Sequence, residues 1–236
     1  MNLLLIQPEE MIADNVAVIT GRRAEHMIKI LKVAVGDSVK AGKIDGLKGA
    51  GEIVSINVSG VKIKLKLNNP SPPPLPLNLI IAMQRPQTFK KVLECAGAMG
   101  VKKIYVLHCA KVEKSYWDSP LLKNNAFHKH LLLGLEQSGD TIMPEVHFER
   151  KFRPFVEDCL PEIAKNTLAL AAHPDTDNIC PAGVSGPVTL CIGPEGGFTE
   201  YEIEKLEQAG CLPVSIGQRI LRTEFALASL FGRLFV

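Results

Sequence analysis

The chain has 236 residues, a formal net charge of +2, and 46% hydrophobic against 22% charged residues, values of an ordinary folded globular protein with room for one large or two smaller domains. No apolar run has the length of a membrane span, and the opening Met1-Asn2-Leu3-Leu4-Leu5-Ile6 carries neither a basic leader nor a small-residue cleavage site, so a cytoplasmic protein with no membrane partner is expected. Six cysteines (Cys95, Cys109, Cys159, Cys180, Cys191, Cys211) show no C-x-x-C spacing, and only His128-x-His130 and His108-Cys109 approach metal-ligand spacing; buried reduced thiols and no metal are the expectation.

The charge is uneven: residues 1–70 hold ten Lys/Arg against seven Asp/Glu, an excess that fits a nucleic-acid partner without requiring one. This first part reads as short strands, at Val16–Ile19, Ser38–Ala41, Gly51–Ile56 and Val61–Leu67. The last alternates strictly and puts Lys62, Lys64 and Lys66 on one face. A small β-barrel with one wet, basic face is predicted. The helical exception is Arg23–Lys32, with Met27, Ile30 and Leu31 at i, i+3, i+4 spacing. Arg22, Arg23, His26, Lys29 and Lys32 crowd this helix and its entry, either as a phosphate-contacting patch or as an ordinary solvated face.

Pro70-Ser71-Pro72-Pro73-Pro74-Leu75-Pro76 can continue neither a helix nor a central strand, which predicts a stiff linker at 70–76 between domains at 1–69 and 77–236. Beyond it strands alternate with helices: a strand at Leu77–Met83, a helix at Thr88–Met99, a strand at Ile104–Leu107 and a helix at Leu122–Gln137. A strand at Val146–Phe148, a helix at Phe155–Lys165 and a strand at Leu168–Ala172 follow. Continuous apolar strands separated by helices predict an α/β domain with a parallel sheet.

Two glycine-bearing segments then follow apolar strand-like runs and lead into helical periodicity: Ile192-Gly193-Pro194-Glu195-Gly196-Gly197-Phe198, and Ile216-Gly217-Gln218-Arg219-Ile220-Leu221-Arg222-Thr223-Glu224. Such strand-to-helix loops lie at the carboxyl ends of parallel strands, where ligands bind. Neither segment fits G-x-x-x-x-G-K-[ST] or G-x-G-x-x-G, and no G-x-S-x-G is present. Thr199-x-x-Glu202 reads as a capping box, Thr223 as a helix N-cap and Glu224 as a favourable first-turn acid. Glu195 sits where no helix-propensity argument asks for a carboxylate, and Arg222 is either functional or a surface ion pair.

Leu190–Thr199 with Glu202-Ile203, followed by Ile216–Glu224, resembles the paired signature of the bacterial 16S ribosomal RNA uridine-N3 methyltransferases, S-adenosylmethionine-dependent enzymes of the SPOUT class. Arg22-Arg23-x-x-x-His26 with Lys32 and Gly36-Asp37 is similar to the start of that family's PUA-like RNA-binding domain; Trp117-Asp118-Ser119-Pro120 and Glu136-Gln137-Ser138 match middle motifs. Members commonly carry Arg where Lys32 and Asp140 stand, Thr where Phe225 stands, and a Lys-Gly-Asp-Arg-type segment where Met83-Gln84-Arg85-Pro86 stands.

The resemblance implies a C-terminal trefoil knot, a homodimer, and three loops holding S-adenosylmethionine. These would contribute Ala172 and His173; then Ile192, Gly193, Glu195, Gly196 and Gly197; then Ile216, Gly217, Ile220 and Leu221. It implies 16S ribosomal RNA or the assembled small subunit as partner, contacted by Arg22, Arg23, His26, Lys29, Lys32 and Arg85. For the chemistry, Arg222 is expected to stabilise charge developing on a uracil oxygen, and Glu195, or a water it orients, to take the N3 proton. The alternatives are methylation of another RNA position, or a non-catalytic RNA-binding protein on the same scaffold.

Overall fold

Residues 2–235 are described by the structure, a computed structural model, and they fall into two units. One runs from the N-terminus to Pro73 and takes in Leu135–Met143; the other comprises Pro74–Gly134 and the chain from Pro144 onward.

The first unit contains β1 (Leu4–Ile6), β2 (Met11–Ala13), β3 (Val16–Ile19), α1 (Gly21–Lys29), β4 (Ser38–Lys43), β5 (Lys48–Asn57) and β6 (Gly60–Asn69). They form one six-stranded sheet in the order β1-β4-β5-β6-β3-β2, antiparallel except for the parallel β1–β4 pair. Alternation decides which face is buried. Val61, Ile63 and Leu65 of β6 join Leu4, Ile6, Ala17, Ile19, Ala41 and Ile53 in the core, while Lys62, Lys64 and Lys66 are exposed. β1 and β2, at three residues each, are too short to show a period, and the sequence does not announce them.

Helix α1 is shorter than its periodicity predicts. It ends at Lys29, and Lys32 takes a left-handed φ of +53°. Met27 is fully buried, whereas Ile30 is 66% exposed. Arg23, expected at the RNA surface, is instead engaged inside the unit. Its Nη1 donates to both carboxylate oxygens of Glu10 at 2.8 and 2.9 Å, and its Nη2 donates to Glu136 at 3.2 Å and to the Leu5 carbonyl. Burial raises the Glu136 carboxyl above the usual carboxylate range, and the Arg23 charge opposes it.

Residues 135–143, which the sequence reading leaves in the long domain, are fixed in this unit by their hydrogen bonds. Thr141 Oγ1 donates to the Gly46 carbonyl (2.6 Å), Lys48 Nζ to the Gly139 carbonyl (2.8 Å), and Ser71 Oγ to Asp140 Oδ1 (2.6 Å).

The second unit contains β7 (Leu77–Ala82), α2 (Pro86–Ala98), β8 (Lys103–Leu107), α3 (His128–Ser138, its last turn counted with the first unit), β9 (Glu145–Glu149), α4 (Phe152–Pro154), α5 (Leu160–Ile163), β10 (Leu168–Ala172), β11 (Val188–Ile192), α6 (Glu200–Gln208), β12 (Leu212–Val214) and α7 (Thr223–Phe235). Its six strands form a wholly parallel sheet in the order β12-β10-β11-β7-β8-β9. Every residue of β11 is buried, as its unbroken apolar run requires.

Two predicted helices are interrupted. The segment from Leu122 starts as a 3-10 turn in which Asn124 and Asn125 are left-handed (φ 51° and 55°), so α3 begins only at His128; asparagine tolerates that conformation better than other non-glycine residues. Between α4 and α5 the chain makes a π-helical turn, Phe155–Cys159, just ahead of Pro161, which has no N–H to continue an α-helical ladder. All six cysteines are free thiols; Cys109, Cys180, Cys191 and Cys211 are buried, but Cys159 is exposed, contrary to expectation.

Helices α2 and α3 touch backbone to backbone at Gly97 and Gly134. A Cβ on Gly134 would lie 2.3 Å from the Glu94 carbonyl oxygen. Gly134→Ala is therefore expected to cost about 1–3 kcal/mol of stability, read by urea denaturation followed through the fluorescence of Trp117, the sole tryptophan.

Candidate active site

Register brings the site together. Ala172 of β10 stands opposite both Ile192 of β11 and Val214 of β12, and Ile192 stands opposite Ile81 of β7. The chain therefore leaves four neighbouring parallel strands at nearly one level. The loops that follow surround a cavity of about 890 Å³, within the range of small-molecule and cofactor sites.

Every residue expected from the resemblance to meet the cofactor lines this one cavity: Ala172, His173, Ile192, Gly193, Glu195, Gly196, Gly197, Ile216, Gly217, Ile220 and Leu221, with Arg222 and Arg85 beside them. Arg22, Arg23, His26, Lys29 and Lys32 belong to α1 and its flanks in the first unit. Lys91, Lys111 and Arg219 also line the cavity and were not anticipated. Lys91 and Lys111 are isolated cations with no motif around them; Arg219 lies inside the Ile216–Glu224 segment, where the resemblance assigns it no role.

The loop after β11 is held in shape by bonds from three directions. The Gly197 N–H closes a turn onto the Pro194 carbonyl at 2.8 Å, with Gly197 at φ +70°. Lys111 Nζ donates to the Gly196 carbonyl at 2.8 Å, and the Arg85 N–H donates to Glu195 Oε1 at 2.9 Å. The capping box forms: Thr199 Oγ1 accepts from the Glu202 N–H, and Glu202 Oε2 accepts from the Thr199 N–H. Glu202 does more than cap, because its Oε1 accepts from the Ala110 N–H at 2.7 Å and the carboxylate is 2% exposed. Burial, with that carboxylate nearby, raises the Cys109 thiol and keeps it protonated.

At the second loop the structure corrects the expected cap. α7 begins at Thr223, and the Arg222 carbonyl accepts from the N–H groups of Phe225 and Ala226, so Thr223 is already inside the helix. Its hydroxyl donates to Gln84 Oε1 at 3.0 Å. Gln84 is fully buried, and its Nε2 donates to the carbonyls of Ala82 (2.8 Å) and Gly193 (2.9 Å). The one sequence signal for Gln84 is its position, a polar residue immediately after a buried strand.

Two polar groups are left open. His173 Nδ1 is buried with no hydrogen-bond partner, although the His173 N–H is paired with the Val214 carbonyl at 2.9 Å. Arg222 is exposed, and among the described residues none hydrogen-bonds its guanidinium. Exposed apolar side chains stand close by in sequence: Ile220 is 86% exposed and Phe225 59%. No group of three or more potential metal ligands occurs among the described residues, and none of their helices is long and apolar enough to cross a membrane.

A parallel sheet whose strand-end loops wrap one cavity defines an α/β protein with a small-molecule site, and residues 71–234 match the family model of an RNA methyltransferase domain. A ribosomal RNA small subunit methyltransferase E of Treponema pallidum is 30% identical over 233 residues, covering 96% of this chain and 87% of that protein. The chain belongs to the ribosomal RNA small subunit methyltransferase E family. Two solved structures share its fold: a methyltransferase of Legionella pneumophila with bound S-adenosylmethionine (TM-score 0.73, 23% identity, 98% of this chain and 95% of that one), and the Neisseria gonorrhoeae ribosomal RNA small subunit methyltransferase E, also with S-adenosylmethionine (TM-score 0.72, 19% identity, 98% and 95%).

One pH effect follows from α7. The Glu224 carboxyl is held below the usual glutamate range by its own backbone N–H and by Lys91 Nζ at 3.1 Å. Its folded value lies below its unfolded one, so its contribution is present above pH of about 4.3 and fades as pH falls through the lowered value. Lys91 is mostly exposed, so the term is a fraction of a kcal/mol. Thermal melts of Glu224→Gln between pH 6 and 3 are expected to fall less steeply than those of the wild type.

Proposed function

We propose that the protein transfers the methyl group of S-adenosylmethionine to N3 of a uridine in 16S ribosomal RNA of the small subunit. In this reading it works in the cytoplasm, as a homodimer with a knotted C-terminal domain behind a PUA-like RNA-binding domain. The observation that carries the reading is the single cavity that gathers all three expected loops, leaves His173 Nδ1 without a hydrogen-bond partner, and holds an exposed Arg222 guanidinium that no described residue hydrogen-bonds. Family membership and the S-adenosylmethionine bound in the two solved structures support it. So does the exposure of Ile220 and Phe225, apolar side chains that a second copy would cover.

The residues present fit the cofactor. A Cβ on Gly193 would approach the Phe198 backbone nitrogen to 3.0 Å, and one on Gly196 the Lys111 side chain to 3.1 Å, so the absence of side chains at both positions lets this cavity loop pack closely on Phe198 and Lys111. Gly217, at φ +126°, takes in the second loop a backbone conformation that other residues rarely adopt. The walls at Ile192–Gly197 and Ile216–Leu221 would hold the cofactor, with His173 Nδ1 free to meet one of its polar groups. The cofactor supplies an electrophilic methyl group on a sulfonium.

The chain's own residues must position the uracil, favour its N3 anion and exclude water. Arg222, exposed and beside Glu224 with no hydrogen bond from the described residues, would balance negative charge on a uracil oxygen. Glu195 has one oxygen committed to the Arg85 N–H; the other is the candidate acceptor of the N3 proton, directly or through a water.

The RNA would be held by the first unit. Arg23 is engaged with acids and Lys29 pairs with Glu25 at 3.2 Å. Lys40, Lys62, Lys64 and Lys66, by contrast, are exposed and form no ion pair among the described residues. Lys40 and Lys66 flank Ala50 in register across three adjacent strands.

Primer extension on ribosomal RNA from a strain lacking the protein tests the reaction, because a methyl on N3 blocks Watson–Crick pairing. A stop at one uridine in the parent strain that vanishes on deletion is expected; unchanged stops, or a lesion that lets the polymerase pass, reject this site of methylation. In vitro, Arg222→Ala should cut methyl transfer to ribosomal subunits by about 100-fold, the scale of one lost charge-stabilising donor, with cofactor affinity little changed. Lys64→Glu with Lys66→Glu should lower subunit affinity and reduce the slope of log affinity against log salt by about 1–2.

A further inference from the structure

The two cavity loops reach each other through one side chain that touches neither the opening nor the solvent. Gln84 follows β7, between the strand end and α2, and all of its hydrogen-bonding groups face inward. Its two amide hydrogens go to the Ala82 and Gly193 carbonyls, and its oxygen receives the Thr223 hydroxyl. The orientation of the amide follows from the partners: turned over, its oxygen would face two carbonyl oxygens and its nitrogen would lose both acceptors.

Gly193 is the first residue of the loop after β11, and Thr223 immediately follows Arg222. Gln84 thus joins the start of one cavity wall to the end of the other, at the peptide that carries the expected charge-stabilising arginine. Other bonds fix each wall separately. Lys111 and Glu202 act on the first, and the Lys91–Glu224 pair acts on the first turn of α7. Among the described contacts, the Gly193–Gln84–Thr223 chain is the hydrogen-bonded link that spans the two loops.

We propose that Gln84 is a positioning residue for methyl transfer: it sets the spacing between the Gly193–Phe198 and Ile216–Arg222 loops, so that both can close on one cofactor and Arg222 is aimed at the base. The proposal rests on reading the cavity as the cofactor site. No shorter or apolar side chain can substitute. Asparagine lacks the methylene needed to serve both loops, and methionine takes the donor from the Ala82 and Gly193 carbonyls and the acceptor from the Thr223 hydroxyl. Glutamate can substitute only in part and only while protonated: its single O–H can serve one of the two carbonyls, and its ionised form would set an oxygen against both.

The test uses the full-length protein and titrates S-adenosylmethionine and its demethylated product by calorimetry, with melting temperatures of the ligand-free variants recorded alongside. Gln84→Met is expected to weaken cofactor binding by about 10- to 100-fold, the scale of one or two buried hydrogen bonds. Thr223→Val should weaken it in the same direction, and Thr223→Ser, which keeps the hydroxyl, should restore it. Because both variants break one link, the loss in the double variant should be smaller than the product of the two single losses.

Gln84→Glu supplies the readout that a purely structural role would not move. Its affinity, taken as a ratio to the wild-type value at each pH, should be highest at low pH and fall as pH rises through the raised value of the introduced carboxyl. Lower melting temperatures with unchanged cofactor affinity would overturn the proposal, as would losses that simply multiply. If Gln84→Met does not fold, Thr223→Val decides, since it leaves the Gly193 bond in place. Wild-type protein that binds neither ligand would overturn the functional reading and this proposal with it; wild-type binding with unaffected variants would overturn this proposal alone.

Discussion

The candidate site depends on four parallel strands ending together. Ile81, Ala172, Ile192 and Val214 stand side by side in register, and a slip of one residue in any pair would turn that strand's side chains to the opposite face and move its loop by about 3.3 Å. The register is fixed by burial more than by the loops. β11 is covered along its whole length, and β7 is buried at five of its six positions, so any slip would expose apolar side chains. The cavity is in this sense a by-product of core packing, placed where the packed region stops.

Packing stops at the strand ends, and beyond them shape is kept by buried polar groups sent from elsewhere in the unit. Glu202 shows how. A carboxylate at 2% exposure is costly unless its oxygens are paired, and here they serve the N–H and hydroxyl of Thr199 and the N–H of Ala110. The start of α6 is thereby tied to the loop after β8. Lys111, one residue beyond Ala110, reaches the Gly196 carbonyl from the same loop. The glycine-bearing turn between Pro194 and Gly197 is thus braced on both sides by one neighbouring segment. Gln84 serves the same loop from the β7 side. Such a loop has its form before any ligand arrives, which lowers the ordering cost of binding.

What the sequence reveals follows from which of these forces has a period. The alternation of β6, the buried runs of β7 and β11, and the Thr199–Glu202 box are local patterns, and the structure contains each of them; β10 forms as a strand, but only Leu170 and Ala171 are buried. Gly193, Gly197 and Gly217 are legible because glycine after a strand is rare without a backbone reason. Elements whose outcome depends on distant partners are not legible. Arg23 looks like a free cation of α1 until Glu10 and Glu136 are seen around it, and Glu136 lies 113 residues away in sequence. Thr223 looks like an N-cap until Gln84, 139 residues away, takes its hydroxyl. The breaks at Asn124 and before Pro161 are local in cause, but apolar periodicity runs straight across both and hides them.

The departures from the resembled family's pattern fit the same logic. At Asp140, where members commonly carry arginine, the carboxylate accepts from Ser71 Oγ and from the Ile142 N–H, so the side chain is used in fastening residues 135–143 to their own unit. At Gln84, in a segment where members commonly carry charged residues, the side chain is consumed by three internal hydrogen bonds. Arg23 is likewise paired within its unit. Replacing a cation by an acid at Asp140 moves the local charge by two in the unfavourable direction for a polyanion, and pairing Arg23 removes another available donor. If the first unit holds RNA, as proposed, its attraction must come from cations outside any ion pair. On β4 and β6 the chain provides them. Lys40, Lys62, Lys64 and Lys66 project from the solvent face of one sheet; the acid in register with Lys64, Glu52, forms no ion pair with it. Lysine is otherwise disfavoured in strands, and a row of them on one face is self-repulsive, so this face gains stability from any ligand that brings phosphate charge to it.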